Sequence, residues 1–117
     1  MDMEMREQMI EIADTQINLC KEAGRSRVKS KNAGKDLDIL LVANMDAIRG
    51  TRKSISKEMA RIELMKNNTV AQELFKVEVE EEARYKGLEK LADAHGSKLI
   101  LMQSIMKRDD IGEKRGY

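Results

Sequence analysis

The sequence predicts an all-α protein that forms a helical bundle or coiled coil. Among its 117 residues, 37% are charged and 3% are aromatic, and proline and tryptophan are absent. This composition is typical of helical bundles rather than of β-sandwiches or doubly wound sheets. Apolar residues also recur every three or four positions over long stretches, which is the spacing of amphipathic helices. At this length we expect one helical domain over residues 1–117.

The first predicted helix covers residues 2–23 and carries a broad apolar stripe. Gly24 is expected to end this helix, because glycine readily adopts the left-handed conformation of a helix C-terminus. The stripe contains two overlapping rows of apolar residues. The rows are Met5, Met9, Ile12, Leu19 and Ala23, and beside them Ile10, Ala13, Ile17 and Cys20.

Residues 24–35 are predicted to form a basic, flexible linker. The segment mixes glycine, serine, asparagine and cations, and Val28 is its only large apolar residue. Its cations, with those on the next predicted helix, are candidates for binding a polyanion through salt-dependent contacts with phosphates. A solvated connector and an ordinary polar helix face explain the same residues. The candidate polyanion-binding residues are Lys21, Arg25, Arg27, Lys29, Lys31, Lys35, Arg49, Lys53, Lys57 and Arg61.

An antiparallel helical hairpin is predicted from two helices at about residues 36–66 and 69–95. In both, seam residues repeat with alternating spacings of four and three, as in a heptad. Folding the chain back at Asn68 aligns the two seams layer by layer, which favours a hairpin. Asn68 or Thr69 is expected to cap the second helix.

A charged layer interrupts the predicted seam of this hairpin. Arg52, Glu81 and Arg84 occupy positions that are otherwise apolar. A charged layer in an aliphatic seam lowers stability while fixing register and partner number. We therefore predict that these three residues set the hairpin register or the oligomeric state.

Two alternatives exist for the chain beyond His95. Gly96 either ends the second arm of the hairpin or lies inside a helix that continues through it. In the first case, the apolar residues from Leu99 to Met106 belong to a short C-terminal helix. Residues 109–117 are expected to fray.

The sequence predicts no catalytic, cofactor-binding or metal-binding residues. His95 is the only histidine, and no glutamate precedes it at the spacing of metal-binding bundles. Cys20 is the only cysteine and is predicted to be a buried structural thiol. The acidic cluster at residues 78–82 lacks the aromatic-lined cleft that glycosidase chemistry needs. We therefore expect no enzymatic activity.

Cysteine content and hydropathy indicate the compartment. A single cysteine excludes an intrachain disulfide and favours the cytoplasm. No apolar run approaches the ~18–20 residues that a transmembrane helix requires. We therefore expect a cytoplasmic protein without a membrane span.

The sequence favours a non-enzymatic helical protein-interaction or self-assembly module, such as an adaptor, chaperone or structural subunit. One hairpin cannot cover both rows of the first helix and the residues from Leu99 to Met106. We therefore expect a homo-oligomer, dimeric or higher, or a protein partner. The alternative is an oligomeric nucleic-acid-binding accessory protein that uses the basic linker and helix face. Polyanion binding weakens steeply with salt, whereas apolar helix packing does not.

Overall fold

The part of the chain that the structure describes is almost entirely helical. The computed structural model describes residues 3–50 and 54–114, with side chains up to residue 108. Within these ranges there are four α-helices and no strand. The predicted all-α fold class is confirmed. The helices are α1 (Met3–Ala43), α2 (Met45–Arg49), α3 (Lys57–Asn67) and α4 (Thr69–Lys114).

Helix α1 includes the segment that was predicted to be a flexible linker. Residues 24–35 are helical, so the linker prediction is wrong. The reason lies in small side chains, because Ser26, Ser30 and Ala33 are buried at spacings of four and three. Small residues that let two helices approach closely carry little hydrophobic signal in the sequence. The helical periodicity therefore continues through the segment although its large apolar residues stop.

The predicted helix over residues 36–66 is divided among α1, α2 and α3. Gly50 ends α2 with a positive φ of 54°, a conformation that glycine adopts far more easily than other residues. Helix α3 then begins after Ser56, whose hydroxyl oxygen accepts a hydrogen bond from the Met59 backbone N–H at 3.2 Å. This side-chain cap satisfies one of the unpaired donors of the first helical turn.

Helix α4 begins as the sequence predicted and extends further than expected. The Asn68 side-chain oxygen accepts a hydrogen bond from the Ala71 backbone N–H at 3.0 Å, so Asn68 caps the helix. Of the two alternatives at Gly96, the continuous helix is the one observed. Residues 109–114, which were expected to fray, are also helical. Residues 115–117 lie outside the described residues.

The contacts divide the chain into two compact units. Unit 1 comprises Met1–Gly24 and Tyr85–Tyr117, and unit 2 comprises Arg25–Arg84. Each unit therefore contains one part of α1 and one part of α4. The predicted hairpin architecture is confirmed, but α1 and α4 supply its arms in place of the predicted helices at about residues 36–66 and 69–95.

The core of unit 2 is formed by α1, α3 and α4. Leu37 and Leu41 from α1 meet Ala60 and Leu64 from α3 and Ala71 from α4 in one buried cluster. Toward the other end of this unit, the Ser30 hydroxyl donates a hydrogen bond to the Glu78 carbonyl oxygen at 2.9 Å. The residue pairs show that α1 and α4 run antiparallel. Helix α3 packs beside both arms rather than extending one of them.

The seam of unit 1 follows a heptad pattern on both helices. On α1 its residues alternate by four and three, and Ala23 is the most buried of them. On α4 the same alternation includes the buried Ala92 and Met102. The Gln16 side chain lies against Gly96, where an added Cβ would come within 2.7 Å of its Nε2 atom. Gln16 and Gly96 therefore lie at about the same level of the hairpin.

Candidate helix-docking face

Unit 1 has an exposed apolar face beside the seam between its two helices. We call it the unit 1 apolar face. Its large side chains are well exposed to solvent: 57% for Ile10, 53% for Ile17 and 65% for Ile100. Cys20 is also exposed, which corrects the prediction of a buried thiol. The face consists of Ile10, Ala13, Ile17 and Cys20 from α1, and Gly96 and Ile100 from α4.

Helical spacing places these α1 residues on one side of the seam. Successive residues of an α-helix are rotated by about 100°, so Ile10 and Ile17 lie on the same flank, next to Ala13. On α1, the opposite flank of the seam is polar and carries Gln8, Glu11, Thr15 and Glu22. On α4, the opposite flank also carries exposed apolar residues, namely Leu91, Leu101 and Ile105. The apolar side chains of α1 are thus concentrated on one flank, which distinguishes them from singly scattered surface residues.

Small residues make the centre of the face shallow. Ala13 on α1 and Gly96 on α4 lie between the larger isoleucines, and both are only partly exposed. Next to Ile100, a cavity of about 540 Å³ opens on the surface of α4. This cavity is lined by Ile100, Gln103, Ser104, Met106 and Lys107. Small residues between rows of larger isoleucine side chains form a groove. A groove of this kind can accept the side-chain ridge of another helix.

Charged residues flank the apolar face in a defined order. On α1, Glu7 precedes Ile10 by three residues and Lys21 follows Ile17 by four, so both lie on the same face. On α4, Asp93 precedes Ile100 by seven residues and Lys107 follows it by seven. Arg6 precedes Ile10 by four residues and lies on this face as well, so the Ile10 end of α1 carries both a cation and an anion. On α4, an anion and a cation lie at opposite ends of the apolar residues.

In unit 2, the third helix contacts the hairpin arms through Arg61. Its guanidinium donates hydrogen bonds to Asp38 Oδ1 at 2.8 Å and to Glu78 Oε1 at 3.1 Å. The Lys57 Nζ atom also lies 3.1 Å from Asp38 Oδ2. The hydrogen bond from Arg61 lowers the pKa of the Asp38 carboxyl group, and the hydrogen bond to Asp38 raises the pKa of Arg61. Arg61 thus joins α3 to both α1 and α4.

These contacts change the interpretation of two candidate polyanion-binding residues. Lys57 and Arg61 were predicted to lie on a basic surface, but both form ion pairs within unit 2. Lys53 lies outside the described residues. Arg49 is exposed on the short helix α2, and Lys21 is exposed in unit 1. The predicted row along one long helix therefore does not form.

The cations of the former linker segment lie on the exposed side of α1 in unit 2. Their spacing gives two rows, one on each flank of the buried Ser26, Ser30 and Ala33. The first row is Arg25 and Lys29, and the second is Arg27, Lys31 and Lys35. All five side chains are exposed. They form a basic helix surface, although the segment is not a flexible linker.

An acidic segment of α4 lies alongside this basic part of α1. The carbonyl oxygen of Glu78 accepts a hydrogen bond from Ser30, and the Glu78 carboxylate lies next to Gly34. Glu80, Glu81 and Glu82 follow on the same helix. Acidic and basic segments are therefore neighbours within unit 2. Opposite charges that are separated along the sequence lie close together in the fold.

The predicted charged layer is present only in part. Glu81 lies in the seam, half-buried, and its Oε2 atom is buried without a hydrogen-bond partner. Arg84 is exposed. Arg52 lies outside the described residues. The proposed influence of these residues on register or oligomeric state stays a prediction.

His95 and the potential metal ligands were considered in the sequence as further candidate sites. The His95 ring Nδ1 atom lies 2.9 Å from the Leu91 carbonyl oxygen of its own helix. No group of three potential metal ligands occurs among the residues whose side chains are described. None of the helices described above contains a stretch long and apolar enough to cross a lipid bilayer.

No protein-family model matches this chain, and it shows no significant similarity to a curated protein or to a solved structure.

Proposed function

We propose that this chain is a non-enzymatic helical protein-interaction or self-assembly module that binds another α-helix through the unit 1 apolar face. The observation that carries the proposal is the exposure of Ile10, Ile17 and Ile100 on one side of the hairpin seam. Unit 1 contains only two chain segments, so a helix that covers this face completes a three-helix or larger arrangement. In unit 2, α3 supplies a third helix from within the chain.

The size of the face indicates reversible binding. Covering an isoleucine that is more than half exposed contributes roughly 1–1.5 kcal/mol. Three such residues, with the smaller Ala13 and Cys20 beside them, contribute about 5 kcal/mol before the entropy of association is subtracted. Polar contacts at the ends of the face must supply the remainder. We therefore expect dissociation constants in about the micromolar range rather than a permanent complex.

Sedimentation velocity tests the self-assembly part of this proposal. We expect the wild-type chain to associate increasingly with concentration, and Ile17→Lys to abolish that association, because the substitution places a charge in the centre of the face. Ile39→Lys is the matched control, since Ile39 is 68% exposed and belongs to unit 2. Circular dichroism verifies that both variants keep the wild-type helicity.

Binding of the dye 8-anilinonaphthalene-1-sulfonate tests whether the face is open in the monomer. If a different protein is the natural partner, the wild-type chain stays monomeric but binds the dye more strongly than Ile17→Lys does. A wild-type chain that stays monomeric and binds the dye no better than Ile17→Lys contradicts the proposed function, because its apolar face is then not available to a partner.

We propose nucleic-acid binding as a second candidate function, which the five exposed cations on α1 in unit 2 favour. Fluorescence anisotropy with labelled single- and double-stranded oligonucleotides tests it at low and physiological salt. Changing Arg27, Lys31 and Lys35 to glutamine should weaken binding and reduce its salt dependence. A control with Lys76, Lys90 and Lys98 changed to glutamine alters the net charge equally. Equal effects of both triple variants, or no binding, exclude a specific role for this α1 surface.

A further inference from the structure

We propose that the occupant of the unit 1 apolar face is a second copy of this chain, related by a two-fold axis parallel to the helices. In this arrangement α1 of each copy packs antiparallel against α4 of the other copy. The inference rests on the proposed function and identifies its partner. It is carried by the order of apolar and charged residues along the two helices of unit 1.

The register of the hairpin determines which residues would face each other. Gln16 lies at the level of Gly96, and the two helices run in opposite directions. Ile100, four residues after Gly96, therefore lies at the level of residue 12, between Ile10 and Ile17. A two-fold axis parallel to the helices preserves these levels. It places Ile100 of the second copy between Ile10 and Ile17, as a ridge packs into a groove.

The charges at one end of the face agree with the same arrangement. Asp93, three residues before Gly96, lies at the level of residue 19 and close to the level of Lys21. The two-fold axis thus pairs Asp93 with Lys21 of the second copy, and two-fold symmetry forms this ion pair twice. At the other end, Lys107 lies at the level of residue 5, next to both Arg6 and Glu7, so the arrangement gains no net attraction there.

The other two-fold axis that brings these faces together is disfavoured by Asp14. An axis perpendicular to the helices would pair α1 with α1 of the second copy and place Ile10 opposite Ile17. The midpoint between these two residues falls between Ala13 and Asp14, so the Asp14 carboxylates of the two copies would come close together. Like charges repel. With the axis parallel to the helices, α1 faces α4 of the second copy and the two Asp14 residues stay apart.

Charge reversal tests the proposed pairing on the full-length chain. We expect Lys21→Asp and Asp93→Lys each to weaken self-association about tenfold in sedimentation equilibrium, because each replaces two attractive contacts by two repulsive ones. The double variant should regain the wild-type association to within about twofold, because it restores the pair in reversed polarity. Lys98→Asp is the control, since it changes the charge equally on the opposite flank of α4.

Three outcomes would contradict the proposed pairing of two copies without contradicting the proposed function of the face. If Lys21→Asp is rescued by Glu7→Lys instead of Asp93→Lys, α1 pairs with α1. If Ile17→Lys abolishes association while both charge reversals leave it unchanged, the face binds a second copy without this pairing. If the wild-type chain is monomeric but binds the dye through the face, the partner is a different protein.

Discussion

At the scale of single residues, Arg61 differs most from its sequence interpretation. The sequence places it on a solvated helix face, whereas the structure buries most of its side chain between the helices of unit 2. Its side chain is only 20% exposed, and it bridges Asp38 and Glu78 on two different helices. A cation every four residues is also the pattern of a solvated helix face, and the sequence does not show which of these cations meets carboxylates from other helices. The position of α3 beside the hairpin decides this.

Substitution of Arg61 should therefore destabilise the protein more than substitution of Lys57. We expect Arg61→Met to lower the free energy of unfolding by about 2–3 kcal/mol, because it leaves the poorly exposed Glu78 carboxylate without this partner. Lys57→Met should cost less than about 1 kcal/mol, since the Lys57 side chain is 63% exposed. Urea unfolding followed by circular dichroism measures both values. Equal losses would contradict the bridging role of Arg61.

The same ion pair predicts a dependence of stability on acid. Because Arg61 lowers the pKa of Asp38 in the folded chain, this carboxyl group contributes stability above its unfolded value, near 3.8. That contribution is lost as the pH falls through the lower pKa of the folded state. Asp38→Asn should therefore lose stability at neutral pH and show a shallower decline than the wild type below pH ~4. Parallel declines in a series of urea titrations at graded pH would refute this assignment.

At the scale of elements, α1 contains two glycines whose surroundings differ. A Cβ at Gly24 would meet no atom within 4 Å, whereas a Cβ at Gly34 would collide with the Glu78 carboxylate. Glycine inside a helix costs about 1 kcal/mol relative to alanine. We expect Gly24→Ala to stabilise the chain by most of this amount. Gly34→Ala should gain less or destabilise, because it displaces the carboxylate that Arg61 binds.

A double-mutant cycle checks the explanation for Gly34. If the collision with Glu78 opposes the gain in helix propensity, Gly34→Ala should be more favourable in the Arg61→Met background, where the Glu78 side chain moves freely. Thermal unfolding of the four chains measures this coupling. Gains that are equal for Gly24→Ala and Gly34→Ala would show that Glu78 yields without cost.

The elements also show which parts of the fold could be predicted from the sequence. Helix type and helix caps depend on local chemistry: the helical class was predicted, and Asn68 was one of the two residues expected to cap α4. The continuity of α1 through residues 24–35 depends on Ser26, Ser30 and Ala33, whose burial has no apolar signature. The division of the predicted helix near Gly50 was not predicted, because a heptad pattern alone does not distinguish a long helix from two shorter ones.

At the scale of the whole molecule, the sequence indicated part of the candidate site. The row of Ile10, Ala13 and Ile17 was recognised as apolar surface that one hairpin cannot cover, and the structure leaves both isoleucines exposed. Ile100 was also among the apolar residues expected to stay uncovered, but its place on the same face as Ile10 and Ile17 was not predicted, because that requires the register between α1 and α4. The charge order at the ends of the face has the same requirement. Once the register is known, both helices contribute to one surface.

A second copy on this face would make thermal stability depend on protein concentration. An assembly that forms only in the folded state shifts unfolding by mass action. Above the dissociation constant, a hundredfold increase in concentration should raise the Tm of the wild-type chain by about 3–5 °C. Ile17→Lys should unfold at the same Tm throughout the series, while Ile39→Lys should retain the wild-type dependence. A wild-type Tm that does not change with concentration, at concentrations where sedimentation shows association, would mean that the contact forms equally well between unfolded chains.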